Sequence, residues 1–209
     1  MTPRNVEEKH AGSAEHALGS KAHWEERYES AGDVVRDLWR GVNCVHYTCA
    51  IGDSSATLLK RLKALQTCDH PSLQPLTDFW VDGSGCTYIA EVTDGVPFEE
   101  WLRKHKLDAE VARHLALQYV SILIYGRSLS PSLDLRGLRE HLVVLPAEPR
   151  LQLIASAHAT IVRSPQGDTP ETEAVRDGRE FAEGLGLRVA ADCTTLTKLR
   201  TALKNAQLQ

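Results

Sequence analysis

The longest regular pattern in the sequence runs from Asp108 to Ser128. Asp108 is a favourable helix N-cap, and apolar residues then recur at the spacing of one helical stripe. They are Val111, Leu115, Ile122 and Tyr125. The most continuous apolar stretch, residues 115–125, is far shorter than the roughly 20 residues that cross a bilayer. The segment therefore predicts a long amphipathic helix with one face in a core, and no membrane span.

Strand signals precede this helix. Residues 44–51 mix β-branched and aromatic residues, which favours a strand, whereas residues 56–67 carry a leucine stripe typical of a helix. Two further apolar runs, 76–81 and 87–92, flank an Asp-Gly turn, which predicts a hairpin. The first half of the chain is therefore expected to combine a sheet with a helix.

The second half is mostly helical in pattern. A Gly- and Pro-containing connector at 93–97 leads into it, and a second small hairpin is expected over 142–154. Together the patterns predict an α+β fold in three segments: an arm over 1–30 that ends in a short helix near 22–30, a small β-rich lobe over 31–95 and a helical lobe over 96–209. Trp24 and Tyr28 of the arm are expected to dock on the chain's own core, with a partner protein as the alternative.

The composition is that of an ordinary globular domain. Its 209 residues carry 24 basic and 28 acidic side chains, a net charge of −4, which argues against nucleic-acid binding through bulk electrostatics. Five cysteines without a C-x-x-C spacing favour reduced thiols and an intracellular location, cytoplasmic or nuclear, with an organelle left open. The first thirty residues lack an apolar core, so we expect no signal peptide.

The order of elements resembles the protein kinase fold over residues 34–187. His70-Pro71, after the first predicted helix, resembles the turn that follows helix αC of that family. Glu91 and Gly95 lie where the family has its fifth strand and hinge. The resemblance implies structural roles for these four residues and a two-lobed fold with a shortened C-terminal lobe. For Glu91 the alternative is a surface charge at the end of a strand.

The resemblance continues in the second half. Residues 134–144 resemble the catalytic loop and its strand, and residues 151–154 resemble the strand that leads into the metal-binding loop. Asp177, followed by Phe181, lies where the family has a buried Asp at the start of helix αF. The resemblance implies that Asp177 braces the loop before His141 through backbone N–H groups. The alternative is an acidic charge near the start of a helix, where the helix dipole favours Asp.

The same resemblance shows that the groups needed for phosphoryl transfer have been replaced. The family uses a Lys on the phosphates, a Glu that orients it, a catalytic base and oxygen ligands for Mg²⁺. Residues 41–59 contain no Lys. The positions of the Glu, the base, the metal-binding Asn and the metal-binding Asp are occupied by Arg61, Arg136, His141 and Ala155. The resemblance therefore implies a catalytically inactive domain, a pseudokinase, without cofactor or metal.

The second half is also short for this fold, and a shortened lobe is expected to leave apolar surface uncovered. Uncovered apolar patches usually mark interfaces with partner proteins. The candidate partner-binding residues are Phe181, Leu185, Leu196, Leu199 and Leu203. We therefore expect a protein-binding scaffold or regulatory subunit of a larger assembly.

Two other functions stay open. The chain is alternatively a residual nucleotide-binding phosphotransferase with Asp134 as its base, or an unrelated α+β interaction module. A zinc site formed by Cys44, His46, Cys68 and His70 is not favoured, because their spacing fits no standard finger. Buried cysteines that act as small hydrophobic residues are the simpler interpretation.

Overall fold

The computed structural model describes residues 21–31, 34–50, 55–82, 85–145, 149–163 and 170–208. The first elements are α1 (Lys21–Arg27), β1 (Tyr28–Ala31), β2 (Val34–Asp37), β3 (Val42–Cys49), α2 (Ser55–Gln66), β4 (Asp78–Asp82) and β5 (Gly85–Glu91). They are followed by β6 (Val96–Pro97), α3 (Phe98–Lys104), α4 (Ala109–Ser128), β7 (Leu142–Leu145), β8 (Arg150–Leu153), α5 (His158–Arg163), α6 (Glu171–Gly184) and α7 (Leu196–Lys204). The predicted α+β class is confirmed. None of the described helices is both long and apolar enough to cross a membrane.

Strands β1 to β5 form one antiparallel sheet in the order β1-β2-β3-β5-β4. The longest strand, β3, lies in its middle and alternates between the two faces. Cys44 points into a small cluster with Tyr28, Val35 and Ile89 on one face. Tyr47 belongs to the other face, where its ring stacks on Tyr88 at 5.3 Å and joins the main core. Both faces of the sheet therefore bury apolar side chains.

Helix α1 packs on the face with the smaller cluster. The ring of Trp24 lies 4.4 Å from that of Tyr28 and 4.5 Å from that of Trp80. This contact confirms the prediction that the aromatic pair docks on its own chain. The short helix predicted near 22–30, however, ends earlier than expected, at Arg27, because residues 28–31 pair with β2 in the sheet. Residues 1–20 of that arm lie outside the described residues.

Arg27 ties the end of α1 to the sheet. Its guanidinium donates to both carboxylate oxygens of Asp37, the shortest contact being 2.7 Å from Nη2, and pairs with Asp78 at 3.3 Å. The Asp37 side chain is fully buried and also accepts from the N–H groups of Trp39 and Arg40. Burial favours the neutral acid, but the hydrogen bonds, that of Arg27 above all, hold the pKa of Asp37 below its ordinary value.

The second half is organised around α4. This helix begins after Asp108, whose Oδ1 accepts from the Val111 N–H at 2.8 Å, and it runs to Ser128 as predicted. It contacts α6, α7 and β8. A side chain at Gly126 would place its Cβ 2.6 Å from Cδ1 of Leu135, so glycine is needed for the loop after α4 to pass this close.

Helix α7 overturns the prediction of an exposed apolar surface. The five candidate partner-binding residues are all buried, with at most 4% exposure: Phe181, Leu185, Leu196, Leu199 and Leu203. They are buried because α7 lays its apolar stripe against α4 and α6, and Gly178 of α6 leaves room for Leu199. The chain thus covers its own core where a partner was expected.

Several short elements were not predicted. Strands β1 and β2 have four residues each, β6 has two, and α5 has six. Elements of this length show too few repeats of the two- or 3.6-residue period to stand out from their surroundings. The hairpins β4–β5 and β7–β8 were predicted from their turn residues and are confirmed.

Replacing Arg27 by Met should destabilise the fold by about 3 kcal/mol, because the buried Asp37 carboxylate would lose its charged partner. The free energy of unfolding in urea measures this loss. Arg36→Met, on the exposed side of β2, is the matched control and should change stability by less than about 0.5 kcal/mol. Equal losses in the two variants would contradict the assigned role of Arg27.

Candidate functional site

The site singled out by the sequence lies around the loop after α4. Arg136 fully engages Asp134 there: its Nε and Nη2 donate to the two carboxylate oxygens, each at 2.7 Å. Nη1 of Arg136 also pairs with Glu173 at the start of α6. The hydrogen bond with Asp134 is the main reason why the pKa of Arg136 is raised. A carboxylate held in this way is a weaker general base, because the ion pair with the guanidinium stabilises its charged form.

Asp177 joins this loop to the helical core. Its Oδ1 accepts from the N–H of Gly137 at 3.3 Å, and its Oδ2 accepts from the hydroxyl of Tyr119 on α4 at 2.7 Å. Gly137 has a φ of +64°, a backbone conformation that favours glycine. Burial raises the pKa of the Asp177 carboxyl, although both hydrogen bonds act in the opposite direction. Asp177 thus contacts the loop before His141, the region that the sequence assigned to it.

His141 and Ala155 lie next to each other across the β7–β8 hairpin. Nδ1 of His141 is 2.9 Å from Oγ of Ser156, and the carbonyl of His141 accepts from the N–H of Ile154 at 3.0 Å. Ala155 is completely buried. The structure therefore brings together two positions where the resemblance predicted metal ligands, but neither supplies a carboxylate or carboxamide oxygen.

Gln74 is the central residue of this region, and the sequence did not single it out. Its Oε1 accepts from the N–H of Ala155 at 2.6 Å, while its Nε2 donates to Oγ1 of Thr93 at 2.8 Å and to the carbonyl of Glu91. The backbone N–H of Gln74 also donates to the carbonyl of Leu153 at 3.0 Å. The only available signal was a polar residue within the short segment Ser72–Leu76 between two apolar positions, Leu73 and Leu76.

His158, at the start of α5, is the other residue that the sequence missed. It is 1% exposed, its ring lies 5.9 Å from that of Tyr88, and its Nδ1 has no hydrogen-bond partner in the described part of the chain. Burial lowers the pKa of His158 to about 3, with a smaller contribution from His141 and an opposing one from the Gln74 backbone. The ring is therefore neutral at physiological pH.

The remaining predicted positions have structural contacts. His70 accepts from the N–H of Ser72 at Nδ1 (3.2 Å), so its Nε2 carries the proton and donates to Oγ of Ser121 at 3.0 Å; burial lowers its pKa. Pro71, which follows, is exposed. Arg61 of α2 is 7% exposed, where the resemblance predicted the orienting Glu.

Glu91 and Gly95, the two predicted residues near the connector at 93–97, have different structural roles. The side chain of Glu91 is about half exposed and pairs with Arg40, so it lies at the surface, while its carbonyl binds Gln74. Gly95 approaches β7 closely: a Cβ there would lie 2.5 Å from Cγ2 of Val143. Glycine at 95 is therefore required by packing.

Within the described residues, no three His, Cys, Asp or Glu side chains are grouped so that they can hold an ion. The cysteines considered for zinc lie apart, since Cys44 belongs to the small cluster under α1 and Cys68 to the main core. Burial is the main reason why the pKa of each thiol is raised, which makes them inert rather than nucleophilic.

Comparison with known proteins does not assign the chain. No model of a known protein family matches it, and no curated protein matches its sequence.

Replacing Gln74 by Met should cost roughly 1–3 kcal/mol of stability, because the buried N–H of Ala155 would lose its acceptor. Urea unfolding checks this value. Gln66→Met, near the end of α2 and half-buried, serves as the control with little expected change. If both variants unfold at the same urea concentration as the unmodified chain, Gln74 does not hold the site together.

The neutral state of His158 predicts a pH dependence of stability. Its folded pKa of about 3 lies below the unfolded value of 6.5, so the stabilising effect is complete above pH 6.5 and is lost as the pH falls toward 3. Between pH 7 and pH 5 the loss should be roughly 2 kcal/mol. His158→Leu should remove this component, whereas His114→Gln, at an exposed position of α4, should keep it. An unchanged pH profile in His158→Leu would show that another group is responsible.

Proposed function

We propose that this chain is a catalytically inactive, kinase-like domain that serves as a protein-binding scaffold or regulatory subunit of a larger assembly. The order of its elements supports the kinase-like part of the proposal. A five-stranded antiparallel sheet contains β3 and β5 as neighbours, with α2 inserted between β3 and β4, and α3, α4 and the β7–β8 hairpin follow the connector. This is the order on which the resemblance in the sequence rests.

One observation carries the proposed loss of activity: Ala155 is fully buried where the family needs a metal-binding carboxylate. Its N–H is bound by Gln74, so the position is filled by a structural contact. Mg²⁺ requires oxygen ligands, and phosphoryl transfer depends on it to neutralise charge. Asp134, the remaining candidate base, has both carboxylate oxygens engaged by Arg136.

The position of α5 supports the same proposal. Kinases bind phosphates with a Lys on strand β3 that pairs with a Glu on helix αC. In the proposed correspondence these elements are β3 and α2, and α5 contacts both of them. His158 and Ile161 of α5 are each 1% exposed, so they occupy buried space near those elements. Side chains, rather than solvent, fill the region beside β3 and α2.

The absence of nucleotide binding is testable directly. A fluorescent ATP analogue with Mg²⁺, titrated to about 1 mM, should give no saturable binding to the full chain and no stabilisation in thermal unfolding. Micromolar affinity together with phosphate transfer to any substrate would overturn the proposal in favour of a residual phosphotransferase.

Asp134→Asn separates these two functions further. For an inactive scaffold, the variant should leave the background rate of ATP hydrolysis unchanged, because Asp134 binds Arg136 and no substrate. For a phosphotransferase that uses Asp134 as its base, the rate should fall by about 10²–10⁴-fold. Radioactive phosphate release from ATP measures both cases, and Asp108→Asn, which retains helix capping, is the matched control.

A further inference from the structure

Helix α7 presents two chemically different faces. Its apolar stripe, expected to bind a partner, is buried against α4 and α6. The rest of its surface is exposed, carries polar and basic side chains and has no acidic residue. Thr197, Arg200 and Lys204 lie on one flank, and Lys198 and Thr201 lie on the other, followed by the C-cap residue Asn205. The side of α7 that remains available for a partner is thus the basic one.

Positive charge is concentrated around this face. Residues 188–204 contain four basic residues and one acidic residue, in a chain whose overall net charge is −4. The four cations are exposed and form no ion pair with a carboxylate of the described residues: Arg188, Lys198, Arg200 and Lys204. By contrast, Arg27, Arg40, Arg136 and Arg139 all pair with carboxylates elsewhere in the fold.

A cavity of about 380 Å³ lies in this face, between α7 and the loop before it. Lys198 and Asn205 lie on its helical wall and offer N–H donors, while the loop contributes Cys193 and Asp192. The walls also include the hydroxyl-bearing Thr197 and Thr201. Lys198 and Asn205 can donate to the oxygens of a carboxylate at the helical side of the cavity, whereas Asp192 on the loop side would repel it. A carboxylate side chain is therefore expected to bind at the helical wall.

The backbone of this region is well supported. Thr195 caps α7 by accepting from the Lys198 N–H at 3.2 Å, and Glu171 of α6 accepts from the Leu196 N–H at 2.9 Å. Arg179 of α6 donates to the carbonyls of Ala191 and Cys193 in the loop. The cations are therefore displayed on a rigid support, which reduces the entropic cost of binding.

We propose that the basic face of α7 and its cavity bind an acidic segment of a partner protein. This inference rests on the proposed scaffold role and names its partner chemistry. Charge complementarity favours this occupant over a nucleic acid, because four cations neutralise few phosphates and the chain as a whole is acidic. An acidic segment is also favoured over a membrane surface. Leu208 is the one exposed large apolar side chain near α7 in the described residues, so little apolar surface is available to enter a bilayer.

The test uses the full chain and a fluorescein-labelled peptide of twelve alternating Glu and Ser residues, with fluorescence anisotropy as the readout. The peptide should bind the unmodified chain, more weakly as salt increases, and a Lys/Ser peptide should not bind. The triple variant Lys198→Glu, Arg200→Glu, Lys204→Glu should weaken binding at least about tenfold. Lys60→Glu with Lys63→Glu, on the exposed side of α2, is the matched control and should leave the affinity within about twofold.

The single variant Lys198→Gln tests whether the cavity contributes to peptide binding beyond the overall positive charge of this surface. It should weaken binding by about threefold or more, and thermal unfolding of every variant confirms that the fold is intact. Equal binding by the triple variant and the unmodified chain would overturn the inference. So would tighter binding of a 20-nucleotide single-stranded DNA, or of vesicles with 30% phosphatidylserine, through the same cations.

The nucleotide titration on the same preparation distinguishes the two proposals. If ATP fails to bind and the acidic peptide also fails, the inference about α7 is wrong while the proposed inactivity stands. If ATP binds and phosphate is transferred, the proposed function is wrong whatever the peptide does.

Discussion

The side chain of Gln74 holds together the two sheets on which the candidate site is built. One amide binds the carbonyl that ends β5, the hydroxyl of Thr93 in the connector and the N–H of Ala155 after β8. The backbone beside it pairs with Leu153, so the segment before β4 also extends the edge of β8. A buried amide with every group bonded makes the relative position of these parts specific, since any displacement would leave a polar atom unpaired.

Three residues that the kinase resemblance places in or near the catalytic region are engaged by other residues of the chain. Asp134 is bound by Arg136, Ala155 is bound by Gln74, and His141 is bound by Ser156. Under the proposed function, a group that would face a substrate or metal in an active kinase faces another residue of the chain in each case. Such contacts stabilise one closed arrangement, whereas catalysis requires preorganised groups that stay open to the reacting atoms. This is the physical basis for preferring an inactive domain to an enzyme with rearranged residues.

The parts of the fold that could be predicted are those with local signals. The α4 helix was predictable from Asp108 and its apolar stripe, and the β4–β5 hairpin from its Asp-Gly turn. The contacts of Asp177 were predictable only through the resemblance. Gln74 could not be found because its partner Ala155 lies 81 residues away along the chain. His158 could not be found because it is a buried residue of α5, a helix too short to predict. Long-range polar contacts leave no periodic trace in a sequence.

Helix α7 shows why an apolar stripe alone is weak evidence for a partner. A stripe predicts that one face must be covered, but not whether the cover is another chain or the same one. Here Gly178 of α6 has no side chain, and Leu199 fills the space that one would occupy, so the chain supplies its own cover. Burying that face fixes the orientation of the helix, and this orientation leaves both Lys198 and Lys204 exposed. The apolar pattern therefore determines which surface of α7 stays exposed, and the charge on that surface is the basis for proposing an acidic partner.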